Sequence, residues 1–572
     1  MTIRTDMGGA PALTGPWPDP VVPETSLPEF LLATATKQAE RAAIIDASSG
    51  RTLSYAELAD GVRRVASGLA ALGLRPGTVF AIMAPNSPEW LLACCGALAA
   101  RGVVTGINPL CTSGEVATQL ADADARFVLT VPEFLPVASA AAERAAAGRP
   151  GAPARIIVLG PAPGDTIPFA ALLAHPGPPL RESPDPDAMA LLPYSSGTTG
   201  LAKGVMLSHR ACLTNVVQML TSSPVTPADR VLAVAPFFHA VGLIVLAGRA
   251  LARGATLVTL PRFDVPGFLA AIQDQRITQT VVVPPIVLAL AKHPAVDQYD
   301  LSSLEWLGCG AAPLSAELQQ ACAERIGCPV GQGYGMTEAT AGIALFPVGT
   351  PVVPGSSGPL LPGIRARITD PGTGADLVPG QAGELWVRTP AVMTGYLGNP
   401  AASAATIDDD GWLHTGDIAR FDAEGNLFLL DRVKELIKVK GFQLAPAELE
   451  AILRSHPAVA DAAVIPVPDE RAGELPKAYV VPGPAGHAAR TDRIRGRAGR
   501  PAQAHPPGVL HRRHSHFPIR QDAPPAPDRR RTAPELSTAR SAAQRPPDVS
   551  VRCRTPWIRE FTASERPGSG VP

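Results

Sequence analysis

Eleven residues from Tyr194 to Gly204 (Tyr-Ser-Ser-Gly-Thr-Thr-Gly-Leu-Ala-Lys-Gly) carry the densest chemistry in this sequence. Hydroxyl residues (Ser195, Ser196, Thr198, Thr199) are interleaved with Gly197 and Gly200, so backbone N–H groups can come close to an anion and wrap its oxygens. Lys203 adds a positive charge. The chemistry implied is phosphate binding. The order of residues does not fit GxxxxGK[ST], so the loop is not a Walker A motif. A second charged segment runs from Asp431 to Gly441 and holds Lys434, Lys438 and Lys440.

Other segments follow in a fixed order: Pro236-Phe237-Phe238-His239, Gly310-Ala311-Ala312-Pro313-Leu314, Gly331-Gln332-Gly333-Tyr334-Gly335-Met336-Thr337-Glu338, and His414-Thr415-Gly416-Asp417. With the Ser/Thr/Gly loop they resemble the motifs of the adenylate-forming superfamily, which groups acyl-CoA synthetases, peptide-synthetase adenylation domains and luciferases. The resemblance spans about residues 27–482. From Asp431 to Glu450 it is to the hinge and CoA segment of 4-coumarate–CoA ligases in particular.

The resemblance implies a role for each position. Ser195 to Gly200, Lys203, Thr337 and the Gln332-Gly333-Tyr334-Gly335-Met336 turn would bind ATP and AMP, with Tyr334 stacked on adenine. Glu338 would hold Mg²⁺ on the phosphates, a hard cation that takes oxygen ligands. Asp417 would accept both ribose hydroxyls, with Arg432 assisting. His239, Val241, Gly310, Ala311, Ala312, Lys434 and Lys438 would face the acyl substrate, and Arg262, Lys440 and Gly441 would face CoA. His239, Thr337, Glu338, Lys438 and Gln443 would take part in catalysis. The implied reaction is carboxylate + ATP + CoA → acyl-CoA + AMP + pyrophosphate. ATP, Mg²⁺ and CoA are the expected co-substrates, and the expected acid is hydroxycinnamate-like or a medium-chain fatty acid. An adenylating enzyme that loads a carrier-protein thiol, or a silent nucleotide-binding remnant, are the alternatives.

These residues need a scaffold. Tyr55 to Leu72 and Pro88 to Ala100 read as helices, and Val79 to Met83 reads as a buried strand. Ala188 to Tyr194 reads as a strand leading into the Ser/Thr/Gly loop, and Thr280 to Val283 as a strand stopped by Pro284-Pro285. Gly383 to Arg388 and Leu427 to Leu430 suggest a later β-rich section. Ala447 to Leu453 reads as a helix, and Ala462 to Pro466 and Ala478 to Val481 as strands. The fold class is α/β: a large multi-subdomain, luciferase-like N-terminal domain, then a small, incomplete α+β C-terminal domain. The expected boundaries are an extended lead-in (1–26), the adenylation domain (27–430), a partial lid domain (431–482) and a tail (483–572).

The tail breaks the pattern. The whole chain has a net charge of −1, but residues 483–572 hold seventeen Arg, no Lys and seven Asp plus Glu, a net +10 against −11 for the rest. The family carries a lysine near its C-terminus in a Pro-x-Ser-x-Gly-Lys segment, which reaches the α-phosphate during adenylation. This chain has no such segment, and its last lysine is Lys477. Arg-, His- and Pro-rich text without lysine is what a GC-rich gene encodes out of frame, so a reading-frame change after about Pro482 is expected. A basic, disordered nucleic-acid-binding tail is the rival reading. The near-neutral balance of the whole molecule gives no other reason to expect nucleic acid. Eight cysteines without a CxxC pair argue against a zinc site and for a reducing compartment, with Cys94 and Cys95 as buried thiols. The most apolar stretch, Val231 to Leu246, is interrupted by Pro236 and His239 and is too short to span a membrane. No signal peptide is visible, and a cytoplasmic location is expected.

Overall fold

The computed structural model describes residues 2–5, 11–147, 152–176, 183–195, 202–378 and 380–433. Beyond these it describes 437–439, 442–444, 446, 449–450, 453, 459–469, 473–482 and three short strands in the tail. The chain divides into two compact units: 1–415 with 419–429, and 416–418 with 430–572.

The first unit is α/β and contains two large, mostly parallel sheets. In one, the strands Val103–Gly106, Val79–Met83, Phe127–Thr130 and Arg155–Val158 run parallel at its centre. All five residues of Val79–Met83 are buried, as expected for a parallel strand covered on both faces. The other sheet has Val330–Gly335, Trp306–Cys309, Gln279–Val282, Arg230–Ala233 and Thr256–Thr259 as parallel neighbours, and Gly342–Leu345 closes one edge antiparallel. A third, six-stranded sheet contains Arg365–Thr369, Gly383–Arg388, Leu413–Phe421 and Leu427–Arg432. Strand Pro11–Thr14 of the lead-in joins it by pairing with Arg365 and Ala366.

Local chemistry explains the elements. Helix Tyr55–Ala71 starts at Ser54, whose side chain accepts the Glu57 N–H while Glu57 returns to the Ser54 N–H. This reciprocal cap satisfies two orphan donors. Leu58, Val62, Val65 and Leu69 recur at helical spacing and are all buried. Two expectations shift. Pro284 does not simply end the preceding strand but opens helix Pro284–Lys292, where a missing N–H costs nothing. The expected strand from Ala188 to Tyr194 is split into Met189–Leu191 and Tyr194–Ser195, because Pro193 has no N–H for the ladder.

Seven cysteines are described, and all are free. Cys94 and Cys95 are buried, and burial pushes the Cys95 thiol up to about 12. Among the described residues no helix is long and apolar enough to cross a membrane.

The second unit holds a short antiparallel sheet in the order Phe442–Leu444, Ile437–Val439, Gly473–Pro482, Val459–Asp469. Ile437, Val464 and Ala478 form its small core, with Leu444, Leu449, Leu453 and Val480 against it. Of the expected helix 447–453, residues 449, 450 and 453 are helical, and the rest lie outside the described residues. In the tail, Arg495–Ala498, Ser515–Arg520 and Ser550–Val551 pair antiparallel.

Candidate active site

The Ser/Thr/Gly loop is held at both ends by a small hairpin. Tyr194 pairs with Gly204, and Ser195 with Lys203. Ser196, Gly197, Thr198, Thr199 and Gly200 lie outside the described residues. Burial and the Asp122 carboxylate, to which its hydroxyl donates at 2.6 Å, push the Tyr194 phenol well above its ordinary value.

Glu338 is brought to this hairpin from 143 positions away. It sits in a single 3₁₀ turn, Thr337–Ala339, just after strand Val330–Gly335, and is 8% exposed. Its Oε1 accepts the Ser195 hydroxyl at 3.1 Å and the Tyr396 hydroxyl at 2.8 Å. Burial and the Glu338 charge raise the Tyr396 phenol, so it stays protonated and donates. The Lys203 ammonium lies over the Tyr396 ring, 4.8 Å from its centroid. Strand Gly395–Tyr396 pairs with Val205 and Met206, so the same strand that carries Lys203 also holds Tyr396.

The turn is fixed on both sides. Thr340 has φ 68° and its buried hydroxyl donates to Ala391 O at 2.6 Å. The Glu338 carbonyl accepts the Met393 N–H at 2.8 Å. At Gly335 a Cβ would lie 1.7 Å from the Ala341 carbonyl oxygen, so only glycine permits this approach. Tyr334, Met336 and Thr337 are half-buried beside it.

Gln332 is buried and its side chain is engaged. Its oxygen accepts the Leu314 N–H at 3.1 Å, and its nitrogen donates to Gln319 at 3.0 Å. Gln332 thereby anchors the end of the Gly310-Ala311-Ala312 segment. Gly310 faces Gly333, a Cβ there lying 3.7 Å from the Gly333 oxygen. Ala311 is exposed and has φ 69°, a strained conformation that a non-glycine residue keeps only where its surroundings impose it.

A second part of the site surrounds His239. A cavity of about 20 Å³ is lined by Trp90, Phe237, Phe238, His239, Leu243 and Ile244, among other residues, and no charged side chain borders it. Trp90 and Phe237 are fully buried and their rings are 5.4 Å apart. The Phe238 and His239 rings are 4.4 Å apart. The His239 ring is open to the cleft, yet enough protein surrounds it to lower its pKa below the ordinary histidine value. It is therefore neutral at neutral pH. Val241 begins a π-helical segment, Val241–Gly248, and packs on the core, while Leu243 and Ile244 form the cavity wall. A Cβ on Gly242 would meet the Pro236 oxygen at 2.2 Å, so glycine lets this segment fold back on the loop. Asn86 ties the loop down by hydrogen bonds to Ala233, Ala235 and Phe237. A larger cavity, about 270 Å³, is lined by Glu29, Ala59, Arg63 and Ser183, none of them a residue of the chemistry above.

The remaining positions are placed separately. Within the second unit, Arg432 Nε lies 3.4 Å from Asp417 Oδ1, and the Asp417 side chain is 14% exposed. Lys438 and Gln443 are paired in register across two strands of the small sheet. Lys434, Lys440 and Gly441 lie outside the described residues. Arg262 is exposed just beyond strand Thr256–Thr259. Tyr396 and Asn86 do not stand out in the sequence as site residues, since neither lies in a motif with a recognisable charge or spacing.

Residues 31–397 match the AMP-binding enzyme family, and residues 448–507 match the AMP-binding enzyme C-terminal domain. The chain is 39% identical over 476 residues to 4-coumarate–CoA ligase 2 of Petroselinum crispum, covering 81% of this chain and 86% of the relative. It is 38% identical over 477 residues to the peroxisomal OPC-8:0-CoA ligase 1 of Arabidopsis thaliana, covering 81% and 85%. Among solved structures it resembles ATP-bound MatB from Rhodopseudomonas palustris, with TM-score 0.74 and 30% identity over 82% of this chain and 90% of the other.

Proposed function

The chain belongs to the AMP-binding enzyme family, as an AMP-forming acid–thiol ligase, and on that premise we propose that it joins an apolar carboxylic acid to CoA through an acyl-adenylate. The observation that carries this reading is the convergence of Ser195, from the phosphate loop, with Glu338 and Tyr396 at one buried carboxylate. In the first step a carboxylate oxygen of the substrate attacks the α-phosphorus of ATP. A C–O–P bond forms, and pyrophosphate leaves with the electrons of the broken P–O bond. In the second, the CoA sulfur attacks the acyl carbonyl, loses its proton, and AMP departs.

Two anions must meet in the first step, so positive charge and orientation are what the protein has to supply. Lys203, the loop N–H groups and the Thr337 hydroxyl are suited to this. Asp417, with two acceptor oxygens, is suited to the ribose hydroxyls. The Glu338 carboxylate and Ser195 hydroxyl form an oxygen donor set that fits Mg²⁺, with phosphate oxygens completing the shell. Bound there, Mg²⁺ would neutralise phosphate charge.

The class of acid is inferred from the residues around His239. Aromatic and aliphatic walls with a neutral His239 favour an apolar acyl group and offer nothing to a second carboxylate. A hydroxycinnamate-like or medium-chain fatty acid is proposed on this apolar lining, and the relatives named for 4-coumarate and OPC-8:0 support it. The enclosed space itself, about 20 Å³, has room for about one water, so the wall must open to admit the acyl group.

Adenylation by this polypeptide is expected to be weak. No lysine follows Lys477 in residues 478–572, and a protein without that preorganised transition-state donor would lose about 10²–10³ in kcat. The second family match, residues 448–507, runs past Pro482, after which the reading-frame change is expected. A silent nucleotide-binding product is the second reading that this lack of a lysine favours. Mass-spectrometric detection of thioester separates the two. Preformed acyl-adenylate plus CoA should give thioester faster than acid, ATP and CoA do, and no thioester from either route contradicts the ligase reading.

A further inference from the structure

Two oppositely charged side chains of the candidate site meet the same phenol. Tyr396 donates to Glu338 Oε1 at 2.8 Å, and its ring carries the Lys203 ammonium at 4.8 Å. Among the described residues no ion pair joins Lys203 to Glu338. A direct pair would neutralise the carboxylate and take the lysine away from an incoming phosphate. The Tyr396 side chain gives each a partner, the ring face to Lys203 and the hydroxyl to Glu338, that leaves its charge available.

The phenol is itself rigidly held. The Ser403 hydroxyl accepts the Tyr396 N–H at 2.8 Å, and Gly395–Tyr396 is paired to the strand that bears Lys203. Both hydrogen bonds that Glu338 receives fall on Oε1. The carboxylate is therefore pinned at one oxygen, and Oε2 accepts no hydrogen bond among the described residues.

We propose that Tyr396 is a positioning residue that orients Glu338 for a divalent cation and holds Lys203 apart from it. The proposal rests on the reading of Glu338 as the carboxylate that shares Mg²⁺ with ATP. A charge-assisted hydrogen bond to a carboxylate fixes geometry as well as contributing energy, and a correctly aimed oxygen matters most for an ion with strict octahedral demands.

The test is the dissociation constant of ATP, measured by titration calorimetry with Mg²⁺ and again with EDTA, which does not depend on turnover. The quantity read is the ratio of the two. Tyr396→Phe keeps the ring under Lys203 and removes the hydroxyl. It should lower the ratio about tenfold, the size of one hydrogen bond to a charged group, with binding in EDTA unchanged. Tyr396→Leu should lower the ratio and also weaken binding in EDTA, because the Lys203 contact is lost. Glu338→Gln should abolish most of the ratio. If Glu338→Gln lowers the ratio and Tyr396→Phe leaves it at the wild-type value, the proposal is overturned. If Glu338→Gln leaves the ratio unchanged, the underlying assignment of Glu338 fails, and the proposal with it.

Discussion

The side-chain oxygen of Asn86 accepts the backbone N–H of Phe237 at 2.8 Å, while its nitrogen donates to the carbonyls of Ala233 and Ala235. One buried amide thus ties the end of strand Arg230–Ala233 to the loop that presents Phe238 and His239. Asn86→Ala removes three hydrogen bonds and leaves the Ala235 carbonyl and the Phe237 N–H unpaired, while Ala233 keeps the Leu260 N–H, and it should cost about 2–4 kcal/mol of stability. It should also raise KM for the acid, because the loop is no longer fixed. Denaturant unfolding and steady-state kinetics check both. A loss in the range of an ordinary surface substitution would contradict this role.

The cleft wall makes a prediction about selectivity. Leu243 is buried and lines the cavity. Leu243→Ala should shift preference toward bulkier acids by about tenfold in kcat/KM, the scale of a few methylenes in an apolar pocket. Competition between cinnamate and octanoate measures it. Malonate should remain a poor substrate of both proteins, since no cation lines the cavity.

Gly335 sets the position of the turn that carries Thr337 and Glu338. A Cβ at this position would overlap the Ala341 oxygen, so Gly335→Ala must displace that turn. A shift of about 1 Å in a positioning element can cost about a hundredfold. ATP affinity should therefore fall far more than the thermal midpoint does, which fluorescence-detected melting alongside calorimetry will show.

His209 gives a pH dependence. It is 1% exposed, and its Nδ1 accepts the Leu27 N–H at 3.3 Å, so it is neutral when folded. Burial pushes its pKa down to about 4. A histidine that is harder to protonate when folded contributes stability above its unfolded value of about 6.5, and that contribution is lost as pH falls toward 4. Between pH 7.5 and 5 the loss should be about 2 kcal/mol. His209→Gln, which can still accept the Leu27 N–H, should remove this part of the pH dependence. An identical profile for both proteins would contradict it.

Much of the site is legible in the sequence because its parts are local. The Ser/Thr/Gly loop, the turn ending at Glu338 and the Phe-Phe-His segment each announce themselves within a short stretch of chain. Helix Tyr55–Ala71 and strand Val79–Met83 follow from period and burial. What stays hidden is long-range. Tyr396 lies 58 positions from Glu338 and Asn86 lies 151 from Phe237. A tyrosine in a two-residue strand and an asparagine after a proline carry no local sign of the partner that the sheets bring to them. The split at Pro193 is hidden for another reason: the apolar run around it reads as one strand, and the lack of a single N–H outweighs that pattern only once the ladder forms.

Carboxylate-dependent ATP–pyrophosphate exchange tests the central claim most directly. The chain as it stands would be compared with one carrying a family-like C-terminus after Val481, on a panel of cinnamates and fatty acids. The account predicts weak exchange by the first and strong exchange by the second, with the same acids preferred. No exchange by either protein would contradict the assignment of residues 27–481 as an acid-activating enzyme.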